Sequence, residues 1–165
     1  MSPAVTLRPN GVGLLSELTC VGDSPGWKCV DDVVADDGTT RVRSAHGDIG
    51  WHADLYTIPY PDVMSGRITN VTVTARGFTS SNGMKIEIVT HDTLVVGTIN
   101  SPSSYTNWSE SWDTNPVTGI AWTWEDIQNL QIGIAIFEIQ GSGTCTQLYA
   151  VVTYLPYPSC GVLMI

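Results

Sequence analysis

Residues 131–139 constrain the fold of this chain more than any other stretch. Alternate positions form two mostly apolar sets, Ile132, Ile134 and Ile136 on one side and Gly133, Ala135 and Phe137 on the other. Because side chains alternate between the two faces of a strand, this pattern predicts a central strand covered on both faces. Residues 144–154 then alternate in the same way, and the two strands together predict the middle of a β-sandwich.

A single helix signal precedes that strand. Thr123 can cap a helix by accepting a hydrogen bond from a free backbone N–H, and Glu125 and Asp126 place negative charge at the positive end of its dipole. Trp124, Ile127 and Leu130 recur at helical spacing. The sequence therefore predicts one short helix near 123–130.

The rest of the chain reads as short strands between turns. The 16 glycines and 9 prolines indicate many turns. Turn signals such as Ser81-Asn82-Gly83 divide the chain into about nine or ten predicted strands. Predicted strands include residues 27–34 and 66–79, whereas residues 12–26 are predicted as loop. We predict an all-β fold, an antiparallel, jelly-roll-like β-sandwich that forms one domain over residues 1–165.

Two of the predicted strands have clear inner and outer faces. On the first, Val71, Val73 and Ala75 should point inward and Thr72 and Thr74 towards solvent. On the second, the inner set is Met84, Ile86 and Ile88, and the outer set is Lys85 and Glu87. This pairing predicts one hairpin with a single buried face.

Composition excludes several classes of function. Net charge is −9 with seven Lys and Arg among 165 residues, so a basic nucleic-acid-binding surface is absent and an anionic membrane should repel the chain. The first residues lack the basic start and apolar core of a signal peptide, which predicts synthesis in a cytoplasm. We expect no nucleic-acid partner and no membrane.

The four cysteines could form disulfides or remain free thiols. Cys20 with Cys29, and Cys145 with Cys160, are the local disulfide pairings, although three pairings are formally available. The alternative is four small buried thiols. No CxxC spacing suggests zinc.

An acidic cluster at residues 31–37 is a candidate calcium-binding site. Its members are Asp31, Asp32, Asp36 and Asp37. Hard cations prefer several carboxylate oxygens, but the spacing is not that of an EF-hand. Asp36-Asp37-Gly38-Thr39 is more simply a turn, because Asp side chains bond their own backbone there.

Catalytic signals are weak. His46 and His52 lie close to Asp48 and Asp54 in sequence, but nothing fixes them as convergent. No GxSxG, P-loop or HExxH motif occurs. We therefore predict a protein that is not an enzyme, with no cofactor, no metal ligands and no catalytic residues.

Six Trp are many for this length, and four cluster in sequence: Trp108, Trp112, Trp122 and Trp124. Exposed aromatic rings can stack on sugars, so a glycan is a candidate partner. Buried rings would instead fill the core or an oligomer interface, and packing is the favoured reading.

The C-terminal segment 156–165 ends in four apolar residues, Val162 to Ile165. Such an end either folds back as an edge strand or adds to the sheet of a neighbouring subunit. The second option predicts a homo-oligomer, with 156–165 as an assembly segment.

Several phrases in order carry a resemblance. They are LRPNG at 7–11, WKCVDD at 27–32, DDGTT at 36–40, DLYTIP at 54–59, WDTNPVTG at 112–119, WTWEDI at 122–127 and LQIG at 130–133. Together they resemble a group of structural proteins encoded by tailed phages, archaeal viruses and environmental virus-like genomes. The resemblance implies a jelly-roll-like component of a virion and brings no catalytic residues.

Three functional hypotheses follow. The first is a virion structural protein, a capsid decoration or tail/fibre component that assembles with itself and with other virion proteins such as a major capsid protein. The second is a carbohydrate- or receptor-binding module. The third is the subunit of an extracellular filament. A surface fibre would satisfy the first two together.

Overall fold

Two antiparallel sheets pack face to face in this chain, as the sequence predicts. The structure, a computed structural model, describes residues 2–44, 49–62, 64–80, 83–139 and 143–158. Its strands are β1 (Ala4–Leu7), β2 (Gly11–Ser16), β3 (Thr19–Val21), β4 (Arg41–Arg43), β5 (Gly50–Thr57), β6 (Arg67–Thr79), β7 (Met84–Thr90), β8 (Thr93–Val96), β9 (Thr106–Trp112), β10 (Gln131–Glu138) and β11 (Gly143–Leu155). One α-helix, α1 (Trp124–Gln128), and one 3₁₀ helix (Gly26–Cys29) complete the described elements.

The first sheet has the strand order β3-β4-β11-β6-β9, with β1 also pairing with β11. The second sheet has the order β2-β5-β10-β7-β8. We call them sheet A and sheet B. The described part of the chain is therefore an all-β antiparallel sandwich with one short α-helix, which confirms the predicted fold class.

The strands β10 and β11 each occupy the middle of a sheet, but of different sheets. β10 pairs with β5 and β7 in sheet B, and β11 pairs with β4 and β6 in sheet A. The apolar side chains of both strands are fully buried and belong to the same core cluster. They are Ile132, Ile134, Ile136, Leu148, Ala150 and Val152. The predicted central position of both strands is thus correct.

Helix α1 begins at the predicted cap. The Thr123 side chain accepts a hydrogen bond from the Asp126 backbone N–H at 3.0 Å, and the Asp126 carboxylate accepts one from the Thr123 N–H at 2.9 Å. These bonds satisfy two donors that a helix start leaves free. Buried Ile127 and half-buried Trp124 attach the helix to the core.

The segment before β4 differs from its prediction. Residues 27–34 form no strand, because Gly26–Cys29 is a 3₁₀ helix in which Lys28 N–H donates to Pro25 O at 3.0 Å. This turn of helix buries Cys29 and Val30 completely, which an extended strand, with its alternating faces, would not do. The predicted strand at 27–34 is wrong.

Residues 12–26, predicted as loop, contain most of β2 and all of β3. β2 is an edge strand with three irregular residues between its pairings to β5. Gly13 sits in that irregularity, where a Cβ atom would lie 2.6 Å from the Leu55 carbonyl oxygen. The strand needs a glycine there. Because glycine is uncommon inside strands, its presence in the sequence argues against a strand.

The predicted hairpin of β6 and β7 is wrong, because β6 lies in sheet A and β7 in sheet B. The outer faces of these two strands are also less exposed than predicted. Val71, Val73 and Ala75 are buried as expected, but Thr74 is buried too, because its hydroxyl bonds Ser109 of β9 at 2.8 Å. The bond to the neighbouring strand therefore accompanies the burial of Thr74, whereas Thr72 on the same face is half-buried.

On β7 the inner set Met84, Ile86 and Ile88 is fully buried as predicted. Glu87, on the opposite face, is only 4% exposed. Lys85 Nζ lies 3.2 Å from Glu87 Oε1 and 4.2 Å from the ring centre of Trp51. The charged pair is outward, as predicted, yet nearly buried.

Cys20, Cys29 and Cys145 are free thiols, so the local Cys20–Cys29 disulfide is not formed. Cys160 lies outside the described residues, as do His46, Asp48, Ser81, Asn82 and positions 159–165 of the predicted assembly segment. Residues 156–158 follow β11 without regular structure. Among the described residues, no helix has the length and apolar character that crossing a bilayer requires.

Candidate functional site

Two clefts on the described surface are large enough for a small molecule. The first, of about 640 Å³, lies between α1 and the turn that joins β7 to β8, and we call it the helix cleft. The second, of about 440 Å³, lies on the outer face of sheet A, and we call it the arginine cleft. Both volumes fall within the range of about 300–1,000 Å³ that is usual for ligand sites.

The helix cleft is built mainly from polar groups that hold the fold together. His91 and Asp92 have positive φ angles of 49° and 55° in the turn between β7 and β8. His91 Nε2 is 2.8 Å from Asp126 Oδ1, the carboxylate that also caps α1. Burial alone would raise the pKa of Asp126, but bonds from Thr123 and His91 lower it. Among its described lining residues there is no Phe, Tyr or Trp.

The arginine cleft is formed where three strands of sheet A lie side by side. In register, Arg43 of β4 is opposite Thr144 of β11, and Thr144 is opposite Phe78 of β6. Its lining residues are Asp36, Asp37, Gly38, Thr39, Arg41, Arg43, Phe78, Tyr105 and Thr144. The sheet therefore supplies a floor, and residues 36–39 supply one wall.

An aromatic pair stands at the centre of this cleft. The rings of Phe78 and Tyr105 meet edge to face, with centroids 4.9 Å apart and planes at 81°. Thr144 Oγ1 lies 3.4 Å from the Tyr105 hydroxyl. Gly38 has a φ of +120°, and a Cβ there would lie 3.1 Å from that hydroxyl. The Tyr105 hydroxyl therefore lies between Thr144 and the wall, close enough to Gly38 to leave little room for a side chain there.

The wall itself is tied to the sheet through Asp36. This carboxylate accepts bonds from the Thr40 backbone N–H at 3.0 Å and from the Thr146 hydroxyl at 3.0 Å. Thr146 is fully buried at an irregularity of β11, so it cannot move away from the turn. Burial would raise the pKa of Asp36, but the bonds from Thr40 and Thr146 lower it overall.

Asp37 and three arginines set the charge of the cleft. Arg76 Nε and Nη2 donate to the two oxygens of Asp37, both at 2.6 Å, and this bidentate bond lowers the pKa of Asp37. Arg41 Nη1 donates to the Gly38 carbonyl. Arg43 is exposed and has no bonded partner among the described residues. The cleft therefore presents both acceptors and donors, and within the part of the chain that the structure describes the Arg43 guanidinium has no bonded partner.

The acidic cluster at 31–37 behaves as a turn. Asp36 binds its own turn through Thr40, Asp32 Oδ2 accepts from the Thr40 hydroxyl at 2.9 Å, and Asp37 binds Arg76. Asp31 has a raised pKa, first because of burial and second because of Asp32. Within residues that the structure describes, no three His, Cys, Asp or Glu side chains converge as metal ligands.

Of the histidine and aspartate candidates, His46 and Asp48 lie outside the described residues. Asp54 is only 1% exposed and accepts bonds from the Glu17 and Leu18 backbone N–H groups and from the Tyr56 hydroxyl, at 2.7, 2.8 and 2.8 Å. Its oxygens thus serve the fold rather than a substrate.

The clustered tryptophans pack inward. Trp122 is 3% exposed, and Trp108, Trp112 and Trp124 are partly buried against the core. Trp122 Nε1 donates to the Trp112 carbonyl at 3.1 Å, and Trp124 Nε1 to the Gly66 carbonyl at 2.9 Å. Packing, the favoured reading of these four residues, is confirmed.

Apart from the turn at residues 36–39, the residues of the arginine cleft were not predicted from sequence. Arg43, Phe78, Tyr105 and Thr144 are far apart in the chain and meet only through the pairing of β4, β6 and β11. One local signal existed: in a chain with seven Lys and Arg, two occur together in Arg41-Val42-Arg43.

No protein-family model and no curated protein matches the chain. Solved structures with a similar fold include a family 16 carbohydrate-binding module, at a TM-score of 0.49 and 10% identity over 81% of this chain and 84% of that one. Another is the C-terminal family 6 carbohydrate-binding module of the laminarinase LamC from Zobellia galactanivorans, at 0.45 and 12% over 91% and 99%. A mutant family 29 carbohydrate-binding module matches at 0.43 and 12% over 92% of each chain. TM-scores this low assign no function.

Proposed function

We propose that this chain is a non-catalytic carbohydrate-binding module whose sugar site is the arginine cleft. The observation that carries the proposal is the edge-to-face pair of Phe78 and Tyr105, 4.9 Å apart, bordered by hydrogen-bond donors and acceptors. A sugar ring has an apolar C–H face and a rim of hydroxyls that both donate and accept. An aromatic surface with a few placed polar groups matches that chemistry.

The cleft is also rigid before any ligand arrives. Thr146 and Asp36 fix the wall, and the floor is the paired sheet of β4, β11 and β6. A preformed site loses little conformational entropy on binding, so weak contacts to hydroxyls can add up to measurable affinity.

The carboxylates of the cleft suit binding better than hydrolysis. A glycosidase needs one carboxylic acid with a raised pKa to protonate the leaving oxygen. Both Asp36 and Asp37 have lowered pKa values, Asp36 through Thr40 and Thr146 despite its burial, and Asp37 through Arg76. Both therefore stay ionised near neutral pH and cannot protonate a leaving oxygen, and the exposed side of Asp37 can accept a bond from a sugar hydroxyl.

A glycan array with immobilised oligosaccharides tests this function, followed by calorimetric titration of the strongest ligand. We expect Tyr105→Ala to weaken binding about tenfold, because it removes the central ring. Tyr157→Ala is the matched control, since Tyr157 is exposed and outside the cleft. Wild-type protein that binds no glycan, or equal losses in both variants, would contradict the proposal.

Assembly of the virion type is a second candidate function. Both edge strands of sheet B expose apolar side chains, Val12 and Leu14 on β2 and Leu94 and Val96 on β8. Exposed apolar edges favour pairing with another chain. Together with the sequence resemblance, this supports a homo-oligomer or a contact with other virion proteins, and a glycan-binding fibre of a virion would combine both roles.

A further inference from the structure

The basic residues of this chain are concentrated at the arginine cleft. The whole sequence has seven Lys and Arg and a net charge of −9. Arg41 and Arg43 line the cleft, and Arg76 binds Asp37 at its rim. Three of seven basic side chains therefore lie at one cleft of an acidic protein.

The charged groups at this cleft are unevenly paired. Asp37 is neutralised by Arg76, and the oxygens of Asp36 already accept bonds from Thr40 and Thr146. Asp32 accepts a bond from the same Thr40 hydroxyl as Asp36, so three aspartates lie near three arginines and the formal charges balance. Arg43 is the guanidinium that no described residue binds.

The position of Arg43 relates this charge to the proposed sugar surface. Its strand neighbour in register is Thr144, and the next residue across the sheet is Phe78. Arg41 is two residues earlier on the same face of β4, about 7 Å away along the strand. A ring placed at Phe78 and Tyr105 would thus have two guanidinium groups and one hydroxyl along one edge.

From this arrangement we infer that the arginine cleft selects an anionic sugar, one whose ring bears a carboxylate or a sulfate. The inference rests on the proposed function, since it takes the ligand to be a carbohydrate. Guanidinium groups recognise planar or multidentate oxyanions through paired N–H donors, which a neutral hydroxyl cannot match. Asp37, whose side chain is 39% exposed, then accepts a bond from a remaining hydroxyl.

The test is a set of matched oligosaccharide pairs titrated against the whole chain by calorimetry. Each uronic-acid oligosaccharide is paired with its methyl ester, and each sulfated one with its desulfated form, which separates the two sources of charge. We expect the wild-type protein to bind the anionic member of at least one pair about tenfold more tightly. That preference should shrink as salt rises, because exposed charges are screened.

Two variants locate the preference. Arg43→Gln should reduce the affinity ratio within a pair severalfold, because it weakens the anionic member more than the neutral member. Arg67→Gln is the control, because it removes the same charge at the exposed start of β6, the opposite end of that strand from Phe78. A preference that Arg43→Gln leaves undiminished, or that Arg67→Gln reduces equally, overturns the inference.

The remaining outcomes separate this inference from the proposed function. Equal binding of both members of every pair overturns the anionic preference and leaves the carbohydrate site standing. Binding of no sugar overturns both. Inorganic sulfate or a short single-stranded DNA that competes as well as the anionic sugar overturns the inference, because the cleft would then recognise charge alone.

Discussion

Asp54 shows what a single buried residue does in this fold. Its carboxylate binds the backbone N–H groups of Glu17 and Leu18 and the hydroxyl of Tyr56, and so joins the loop after β2 to the inner face of β5. Burial is the main reason why its pKa is raised, and the bonds only partly offset this. The same burial, followed by the charge of Asp54, raises the pKa of Tyr56.

Replacing Asp54 should separate hydrogen bonding from charge. Asp54→Ala leaves three donors without a partner and should lower the free energy of unfolding by about 3 kcal/mol. Asp54→Asn keeps an acceptor for both backbone N–H groups and should stay within about 1 kcal/mol of wild type. Urea unfolding at neutral pH measures both, and equal losses in the two variants would refute this account.

The pH dependence has a definite sign. A raised pKa in the folded state means that stability from Asp54 is present at low pH and is lost as pH rises from the ordinary value of 3.8 through the folded pKa. Asp54→Asn lacks that loss. The free energy of unfolding of Asp54→Asn, minus that of wild type, should therefore increase with pH over this interval. The aspartates with lowered pKa values are present in both proteins, so their contributions cancel in this difference.

At the scale of elements, the edge strands of sheet B carry the exposed apolar residues on which the proposed assembly depends. β2 and β8 are the edge strands, with Leu14 and Leu94 exposed. If copies pair through these edges, wild-type protein should be an oligomer by light scattering. Lysine at an edge strand opposes pairing, so Leu14→Lys or Leu94→Lys should yield a monomer.

Leu155→Lys is the control for this experiment, because Leu155 is exposed at the end of β11 in sheet A. It should leave the oligomer intact. A wild-type monomer at all accessible concentrations, or equal effects of the three variants, would end the assembly proposal.

Elements with strong local patterns could be predicted, and those shaped by tertiary contacts could not. β10 alternates apolar residues over its whole length, and α1 has its cap in Thr123, so both are evident in sequence. β2 contains Gly11 and Gly13, which its close approach to β5 requires, and its pattern reads as loop. The 3₁₀ helix is held by burial of Cys29, which no local rule shows.

At the scale of the whole molecule, the cleft depends on strand order. Arg43, Phe78 and Thr144 share one row only because β4, β11 and β6 are neighbours in sheet A. Sequence predicts the strands but not which of them pair, so a site built across three strands stays hidden until the topology is known. The one sequence signal for this site was the occurrence of Arg41 and Arg43 close together in a chain with few basic residues.

The most direct measurement is a backbone amide NMR titration of ¹⁵N-labelled protein with the best glycan from the array. The account predicts chemical-shift changes clustered at residues 36–43, 78, 105 and 144, and their loss in Tyr105→Ala. Changes confined to residues 89–92 and 118–131 would place the ligand in the helix cleft and contradict the account, as would a spectrum that no glycan alters.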